Sequence, residues 1–433
     1  MLDIKFVLEN ADVVKASEVA RGNSPEVVDK LVELYNARNV FRGQFDEVRA
    51  KQQLLGKSVA AAKTQDEKNQ VLQELKIVAQ KADDAKFAAA NAQNEYDECA
   101  MKLQNVIADA PSGGEDDYIV LKEVGKLVTK ESLGFEPKHH SELGEILGII
   151  DTNRGSKVSG SRFYFLKGLG ARLDLALINM GLDLAIEHGF TPMITPTLVR
   201  PEVMRGTGFL GLHDAEVYRL NEADDLYLVG TSEVALAGYH SDEIITFPDD
   251  KPIKYTGFSA CYRREAGAAG KDTRGIIRVH QFHKLEMFVY CKEEQAEAEH
   301  QKLLELEEAM ISSLELPYRV IDVAAGDLGS SAARKFDCEA WLPSEERYLE
   351  LTSTSNCTTF QARRLGIRER VQDENAHSST RSVATLNGTL ATTRWIVALL
   401  ENHQQKDGSV RIPEALQSYL GGEKIITPDE LKD

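Results

Sequence analysis

The sequence lacks the features that would place it in several familiar classes. Five cysteines are scattered along the chain without a Cys-x-x-Cys pair: Cys99, Cys261, Cys291, Cys338 and Cys357. This scatter argues against a zinc ribbon and against a disulfide-stabilised scaffold. No apolar run approaches the roughly 20 residues that span a bilayer, and the opening MLDIKFVLEN does not have the pattern of a signal peptide. We therefore expect a folded cytoplasmic protein that has no membrane segment.

The common phosphate-binding loops are also absent. Neither GxxxxGK[ST] nor a GxGxxG that opens a helix after a strand occurs, so other groups must hold the phosphates of any nucleotide. Positive charge is in deficit, with 51 Lys and Arg against 69 Asp and Glu. That balance disfavours indiscriminate binding to nucleic acid but allows a local basic surface for RNA. The length of 433 residues predicts two or three domains.

Two long stretches near the N-terminus have the periodicity of a coiled coil. Apolar residues and alanines recur every three or four positions over Val27–Ala62 and again over Val71–Val106. Ser24-Pro25 is typical of a helix start, the rhythm breaks at Lys63–Glu67, and Pro111–Gly114 is predicted to close the second helix. The two stretches predict an antiparallel hairpin of about 54 Å. Periodicity alone equally allows a dimerisation coil or two helices of a bundle.

Beyond Gly114 the pattern changes to short strands and fewer helices. The predicted helices are Leu166–His188, Glu293–Ser313 and, as the last one, Thr392–Gln405. The predicted strands are Pro192–Val199, Asp225–Val229, Ile253–Ser259, Gly275–Tyr290, Tyr318–Val323 and Tyr348–Thr354. Because the strands outnumber the helices that could serve as crossovers, we predict an α+β fold, with a mostly antiparallel sheet flanked by helices.

One stretch of this region concentrates positive charge beside carboxylates. It reads CYRREAGAAGKDTRGIIRVHQFHKLEMFVY over Cys261–Tyr290. A strand that ends at Arg263-Arg264-Glu265, a loop with Gly267 and Gly270, and a return strand through Val279–Phe288 would form a hairpin. Taken alone, a charged hairpin is more often a solvated surface feature than a binding site.

The same hairpin has side chains suited to a nucleotide. The guanidinium fork of Arg263 could hold a phosphate. Phe282 could present a flat apolar face to a base, and Arg394 could supply a cationic plane on the other side. Glu265 could accept a hydrogen bond from an exocyclic amine.

Five segments occur in a fixed order along the chain. They read GFTPMITPTLV (Gly189–Val199), TSEVAL (Thr231–Leu236), YRREAG with DTRGIIRVHQFHKLEMF (Tyr262–Phe288), ELTSTSNCTTFQARR (Glu350–Arg364) and TLNGTLATTRWIVALLENHQ (Thr385–Gln404). Together they resemble the seryl-tRNA synthetases of the bacterial type, and the resemblance covers essentially the whole chain. It implies an N-terminal tRNA-binding domain over residues 1–112, with a coiled-coil arm at about 26–108. Residues 113–433 would form a class II catalytic domain.

The resemblance also implies an activity and its partners. The family attaches L-serine to tRNA(Ser) with ATP, through a seryl-adenylate, and serylates tRNA(Sec) in hosts that have it. Two protomers pair as a homodimer across the first motif, in which Pro196 lies here. Mg²⁺ is expected with ATP, and zinc is not expected. Basic residues of the arm are candidates for contacts to the RNA: Arg38, Arg42, Arg49, Lys51, Lys57, Lys76 and Lys81.

The site residues follow from the same resemblance. Catalytic roles are expected for Arg263, Glu265 and Arg394. The residues expected to bind serine are Thr231, Ser232, Glu233, Arg263, Glu286, Asn387 and Thr389. Those expected to bind ATP are Arg263, Arg264, Glu265, Val279, Phe282, Glu350, Leu351, Thr352, Ser353 and Arg394. Glu350 and Ser353 would hold Mg²⁺, because oxygen donors suit a hard cation that bridges phosphates.

Two other function classes stay open at this point. One is a synthetase-like paralogue that loads a carrier protein, although such a protein would not need a long arm. The other is a non-catalytic RNA-binding or scaffold protein, against which the charged set Arg263, Glu265, Glu286 and Arg394 argues.

Overall fold

A computed structural model describes residues 2–211, 214–266, 274–372 and 378–428. The chain divides into two compact units, Met1–Val106 and Ile107–Asp433. The division falls after residue 106, whereas the resemblance predicts a domain boundary after residue 112. Gly267 and Gly270 of the predicted hairpin loop lie outside the described residues. Within the described part of the chain, no helix is long and apolar enough to cross a membrane.

The N-terminal unit is helical and is dominated by a hairpin. Its helices are α1 (Ile4–Glu9), α2 (Ala11–Ala20), α3 (Glu26–Ala61) and α4 (Gln65–Lys102). Cys99 near the end of α4 contacts the carbonyl of Val27 near the start of α3, at 3.8 Å. Nearer the turn, Lys51 pairs with Glu74 at 3.2 Å. Because late residues of α4 meet early residues of α3, the two helices are antiparallel, and the predicted hairpin is confirmed.

The predicted seam is the face along which α3 and α4 pack. Its members Leu31, Val78, Ala82 and Tyr96 are buried, as the heptad spacing requires. Arg38, also in the seam, lies with its guanidinium 4.9 Å from the ring centroid of Tyr96. That contact gives Arg38 a packing role inside the hairpin.

The end of the second helix was predicted wrongly. It closes at Lys102 and not at Pro111–Gly114, and Leu103 already has extended backbone angles. The Oε1 atom of Glu18 accepts a hydrogen bond from the amide of Gln104, at 2.9 Å. Arg21 donates to the side chain of Gln104, at 3.0 Å. These buried polar contacts from α2 and the residue after it hold the chain in its extended course.

The second unit contains the remaining elements. Its helices are α5 (Lys130–Leu133), α6 (His140–Ile146), α7 (Thr152–Ser159), α8 (Leu169–Glu187), α9 (Pro201–Thr207), α10 (Glu233–Gly238), α11 (Ala296–Ser313), α12 (Phe360–Leu365), α13 (Trp395–Asn402) and α14 (Glu414–Gln417). Its strands are β1 (Ile119–Val124), β2 (Ile150–Asp151), β3 (Phe165–Leu166), β4 (Thr191–Ile194), β5 (Leu198–Val199), β6 (Tyr227–Leu228), β7 (Ile244–Ile245), β8 (Ile253–Tyr262), β9 (Gln281–Cys291), β10 (Tyr318–Asp322), β11 (Arg334–Leu342), β12 (Arg347–Asn356), β13 (Arg368–Gln372), β14 (Ser378–Ser382), β15 (Ala384–Thr392), β16 (Val410–Arg411) and β17 (Ile425–Ile426).

An eight-stranded sheet organises this unit. Its order is β1-β10-β11-β12-β15-β9-β8-β4, and every pair is antiparallel except β4 with β8. Helices α8, α11 and α13 pack against one face, where Leu285, Met287 and Leu390 belong to the main core. Helices α10 and α12 pack against the sheet with Phe288 and Tyr290. The α+β prediction with a mostly antiparallel sheet is confirmed.

Several strand predictions need correction. The predicted strand Gly275–Tyr290 starts only at Gln281, and residues 274–280 have no regular structure. Strands β11 and β15 were not predicted, and β15 extends to Thr392, where the last helix was expected to begin. That helix starts at Trp395, and α14 follows it. Every residue of β15 is buried, so the strand does not show the apolar–polar alternation that would have revealed it.

Candidate active site

A β-bulge brings Glu350 and Ser353 to the same face of the sheet. Two residues that are three apart on a regular strand point to opposite faces. In the β11–β12 ladder Asp337 pairs with Ser353 and Glu339 pairs with Glu350, with a register shift between these pairs. The extra residue, Leu351, therefore restores Glu350 to the side of Ser353.

A second irregularity lies two strands away, between β15 and β9. Thr389 pairs with Glu286, and Thr392 pairs with Lys284, because the register shifts at Leu390. Lys284 and Glu286 are two residues apart, and Phe282 is a further two residues before them, so all three side chains share this face. The sheet thus places Phe282, Lys284 and Glu286 of β9 in one row.

Lys284, Glu286 and Thr231 form a buried polar cluster. The Nζ atom of Lys284 lies 2.5 Å from Oε2 of Glu286 and donates to Oγ1 of Thr231 at 3.1 Å. Thr231 in turn donates to Oε2 of Glu286 at 3.3 Å. The other carboxylate oxygen of Glu286, Oε1, is buried and has no hydrogen-bond partner among the described residues. A buried carboxylate oxygen without a partner is costly, so this geometry favours a bound ligand that donates to it.

A second carboxyl group, that of Glu233 at the start of α10, lies near this cluster. Its Oε1 atom accepts a hydrogen bond from the amide of Gln361 at 2.8 Å. Burial, reinforced by the negative charge of Glu286, raises the pKa of Glu233 from 4.5 to about 7. Glu233 is therefore expected to change its charge close to neutral pH when the pocket is empty.

Three of the predicted residues direct their side chains into the protein. The hydroxyl of Ser232 bonds to that of Ser259 at 2.8 Å. Thr352 donates to Glu307 of α11 at 2.8 Å. The amide of Asn387 donates to the sulfur of Cys357 at 3.6 Å.

Arginines lie next to the cluster. The Nε atom of Arg263 donates to the carbonyl of Gly230 at 3.3 Å, and its guanidinium carbon lies 5.3 Å from the ring centroid of Phe282. Arg394 donates from Nη1 to the carbonyl of Glu350 at 3.0 Å. These contacts hold the guanidinium group of Arg263 beside the ring of Phe282 and that of Arg394 beside strand β12.

The remaining two residues of the Arg-Arg-Glu sequence have different surroundings. The guanidinium of Arg264 lies 5.5 Å from the ring of Tyr218, and Arg264 is exposed. Glu265 accepts from Arg278 at 3.4 Å and has a φ of +50°. The contact with Arg278 keeps the carboxylate of Glu265 paired at the edge of the site.

Most of the nucleotide candidates line two cavities that share residues. The larger has a volume of about 810 Å³, within the range of small-molecule sites. Both cavities are lined by Arg263, Glu265, Glu350 and Arg394. The smaller cavity adds these candidates: Val279, Phe282, Leu351 and Thr389. Lys284 also lines it, and so connects it to the buried cluster with Glu286 and Thr231.

Sequence reasoning missed three residues that the fold brings to the site: Lys284, Gln361 and Asp337. Lys284 had a signal, because it precedes Glu286 by two residues in a strand and must share its face. Gln361 lies on α12, far from Glu233 in sequence, and only the fold brings them together. Asp337 was missed because its strand was missed.

The donors around Ser353 fit a magnesium ion. Asp337, paired with Ser353, is buried, and its Oδ1 atom has no hydrogen-bond partner among the described residues. Its Oδ2 atom lies 3.3 Å from the ammonium of Lys335. With Glu350 on the same face, the donor set consists of carboxylate and hydroxyl oxygens, which suit a hard cation.

Comparison with known proteins finds family models and full-length relatives that match this chain. Residues 1–107 match the family model of the seryl-tRNA synthetase N-terminal domain. Residues 217–403 match that of the class II tRNA synthetase core domain for G, H, P, S and T. The serine–tRNA ligase of Pseudarthrobacter chlorophenolicus is 60% identical over 428 residues, which are 98% of this chain and 99% of that protein. The serine–tRNA ligase of Bifidobacterium adolescentis is 58% identical, with 99% of each chain covered.

A solved structure gives the same result at the level of the fold. The crystal structure of seryl-tRNA synthetase from Pyrococcus horikoshii complexed with ATP has a TM-score of 0.88 to this chain and 38% identity. The match covers 99% of this chain and 100% of that one. The ordered motifs, the helical hairpin, the antiparallel sheet and these full-length relatives lead to one conclusion: the chain belongs to the seryl-tRNA synthetases, in class II of the aminoacyl-tRNA synthetases.

Proposed function

We propose that the pocket on the sheet joins L-serine to ATP, and that the same site then transfers the seryl group to tRNA(Ser). The observation that carries this proposal is the unpartnered Oε1 of Glu286, which lies in a buried polar cluster beside the arginines of the cavity. A free amino acid offers an ammonium and a carboxylate, and ATP offers several negative charges. A site for both needs carboxylates at one end and guanidinium groups at the other.

The ammonium of serine would bind at the acidic end of the pocket. It can donate to Oε1 of Glu286 and so satisfy the buried oxygen that has no partner. Glu233, once ionised, adds a second negative charge, and Thr231 supplies a hydroxyl. We assign the other edge of the serine site to Thr389 and to the amide oxygen of Asn387, whose amide nitrogen bonds to Cys357. Ser232 would contribute through its backbone, since its side chain bonds to Ser259.

The first reaction needs no side-chain base. The carboxylate of serine, already ionised, attacks the α-phosphorus, an oxygen–phosphorus bond forms, and the bond to pyrophosphate breaks. Negative charge builds on the oxygens of the α-phosphate, where Arg263 would stabilise it. Because the side chain of Arg263 is held by the carbonyl of Gly230, little reorganisation is needed when that charge develops.

The adenine would lie between Phe282 and Arg394, with Glu265 accepting from its exocyclic amine and Val279 contacting it through the backbone. Leu351 and Thr352 would border the nucleotide, Thr352 through its backbone because its hydroxyl is bonded to Glu307. Arg264, exposed on Tyr218, would reach the outer part of the nucleotide. The lining of the smaller cavity by Glu265, Val279, Phe282, Leu351 and Arg394 supports this assignment, whereas Arg264 and Thr352 are included on the family resemblance.

Mg²⁺ would be held by Glu350 and Ser353, which the β-bulge places on one face. When bound, the ion offsets phosphate charge and orients the leaving group. Asp337, with a free carboxylate oxygen behind Ser353, supports an ion at this position.

In the second reaction the terminal ribose hydroxyl of the tRNA attacks the carbonyl carbon of the seryl-adenylate. The ester bond forms, the bond to AMP breaks, and the hydroxyl proton is released. Alanine and glycine lack the hydroxyl of serine. A pocket that hydrogen-bonds this group rejects them, because buried polar atoms would be left unpaired.

We further propose a homodimer that pairs through the first motif, and recognition of tRNA by the helical hairpin. Strand β4 is an edge strand of the large sheet, and Ile194 within it is 88% exposed. An open edge strand offers unpaired backbone groups with which another chain can pair, and it therefore supports this proposal. Serylation of tRNA(Sec) is expected in a host that has this tRNA.

Charging of purified tRNA(Ser) with labelled serine tests this proposal. Formation of seryl-tRNA, dependent on ATP, is the expected result. Serine-dependent pyrophosphate exchange without tRNA charging would favour the carrier-loading alternative, and loss of both reactions would favour the scaffold alternative.

A further inference from the structure

The segment Arg274–His280 directly precedes β9 and has no regular structure. It nevertheless supplies Ile276 and Val279 to the smaller cavity, next to Phe282. A segment without a β-ladder must be held in place by other contacts. One of these contacts comes from a buried histidine that the proposed mechanism does not use.

That histidine is His140, the first residue of α6, which is completely buried. Its Nε2 atom accepts a hydrogen bond from the amide of Ile276, at 3.2 Å. An accepting nitrogen carries no proton, so the proton lies on Nδ1 and is donated to Oε1 of Glu401, at 3.0 Å. Gly275 confirms how closely the ring approaches the segment: its φ is +71°, and a Cβ atom there would lie 1.9 Å from Nε2.

Glu401 fixes the orientation of the imidazole. It is completely buried on α13, the helix that begins directly after Arg394. Besides the ring, it accepts from the amide of His140 at 3.0 Å and from the hydroxyl of Ser344 at 2.7 Å. Although burial raises the pKa of Glu401, the hydrogen bonds from His140 and Ser344 outweigh it and lower the pKa. An ionised carboxylate therefore holds one tautomer of the ring.

We propose that His140 is a positioning residue for the nucleotide half of the active site. The chain of hydrogen bonds from Glu401 through His140 to the amide of Ile276 ties the Arg274–His280 segment to the helix that follows Arg394. The backbone of Val279, which is proposed to contact the adenine, and Arg394 are thereby set relative to each other. This inference rests on the proposed function, in which ATP binds at Phe282 and Val279.

Two substitutions of His140 separate positioning from stability. In His140→Asn, the side-chain amide can replace Nδ1 and keep the bond to Glu401, but it loses the acceptor for Ile276. In His140→Gln, an oxygen can reach the place of Nε2 and keep the bond to Ile276, but the bond to Glu401 is lost. The adjacent His139, whose ring contacts Ser141 and Glu345, is the matched control as His139→Asn.

Steady-state pyrophosphate exchange is measured for each variant, with thermal unfolding alongside. For His140→Asn, the ATP KM should rise about tenfold, in line with the loss of one buried hydrogen bond, and the serine KM should stay within about twofold. His140→Gln should keep a near-normal ATP KM even where its Tm falls, and His139→Asn should resemble the wild type.

The inference would be overturned if the ATP KM rose in both His140 variants in proportion to the fall in their Tm. It would equally be overturned if the serine KM rose as much as the ATP KM. If neither variant folds, Gly275→Ala tests the same contact, because its Cβ collides with His140, and an unchanged ATP KM there would equally refute it. Wild-type protein without serine-dependent exchange would instead refute the proposed function.

His139, His140 and Glu401 also have ligand atoms within 4.8 Å of one another. One equivalent of tightly bound zinc in the purified protein would therefore make this a metal site and contradict the hydrogen-bond account.

Discussion

We predict that the pKa of Glu233 makes serine binding depend on pH. Serine stays an ammonium ion between pH 6 and pH 8, whereas Glu233, with a pKa raised to about 7 by burial and by Glu286, does not stay ionised. The hydrogen bond from Gln361 and the positive charges of Lys284 and Arg263 act in the opposite direction but do not outweigh burial and Glu286. Because the ionised form binds the ammonium, serine should bind more weakly as the pH falls.

The size of the effect follows from one titrating group. With a pKa of about 7, the ionised fraction of Glu233 falls about tenfold from pH 8 to pH 6. The serine KM in pyrophosphate exchange, at saturating ATP, should therefore rise about tenfold over this range. His283, whose pKa is raised by its hydrogen bond to Asp174 of α8, lies on the opposite face of β9 from Glu286 and should leave the serine KM unchanged.

Glu233→Gln is the control, because it keeps an oxygen for Gln361 and cannot ionise. Its serine KM should be high and nearly independent of pH. The free energy of unfolding gives a second readout. Because the pKa of Glu233 is raised in the folded state, its contribution to stability is fully present below pH 4.5 and is lost as the pH rises to about 7. Across that window the free energy of unfolding of the wild type should therefore fall by about 3 kcal/mol relative to that of Glu233→Gln. A serine KM that is flat in the wild type, or that varies equally in the variant, would refute the assignment.

Three further predictions test the other parts of the account. Arg263→Ala should lose about 3–5 kcal/mol of transition-state stabilisation in serine-dependent exchange, because the α-phosphate loses its charged partner; near-normal exchange would show that another group holds the phosphate. Glu286→Gln should raise the serine KM far more than the ATP KM, and equal changes in both would make Glu286 structural or part of the nucleotide site. Replacing residues 44–86 with a short turn should leave seryl-adenylate formation close to normal and abolish tRNA charging, while RNA binding by the intact chain should weaken steeply with salt; normal charging by the shortened chain would assign the hairpin to assembly.

Local patterns predicted the parts of the fold that depend on local contacts. The heptad spacing placed the seam of the hairpin, and Thr64 with Glu67 forms a capping box at the predicted break. The spacing could not locate the end of α4, because buried contacts of Glu18 and Arg21 to Gln104 determine it, and these residues are far apart in sequence.

The site was predictable to the extent that it lies in recognisable motifs. Arg263, Phe282 and Arg394 were proposed from their chemistry and Glu350 from the resemblance, and the fold brings all four to the smaller cavity. Side-chain direction was not predictable where a strand is irregular. The extra residue Leu351 reverses the face of the sheet on which the side chains beyond it in β12 lie. No single sequence pattern marks that bulge.

His140 shows the same limit more clearly. It lies about 136 residues from the amide that it holds, outside every motif that was recognised. Its role depends on a contact between α6, an irregular segment and α13, and only the tertiary structure brings these elements together.

The central claim is that this pocket selects serine and activates it with ATP. Pyrophosphate exchange by the purified full-length chain, measured with each of the common amino acids in turn, tests this most directly. We expect strong exchange with serine, and little with alanine and glycine, which leave the polar groups of the pocket unpaired. Strong exchange with a different amino acid, or none with any, would contradict it.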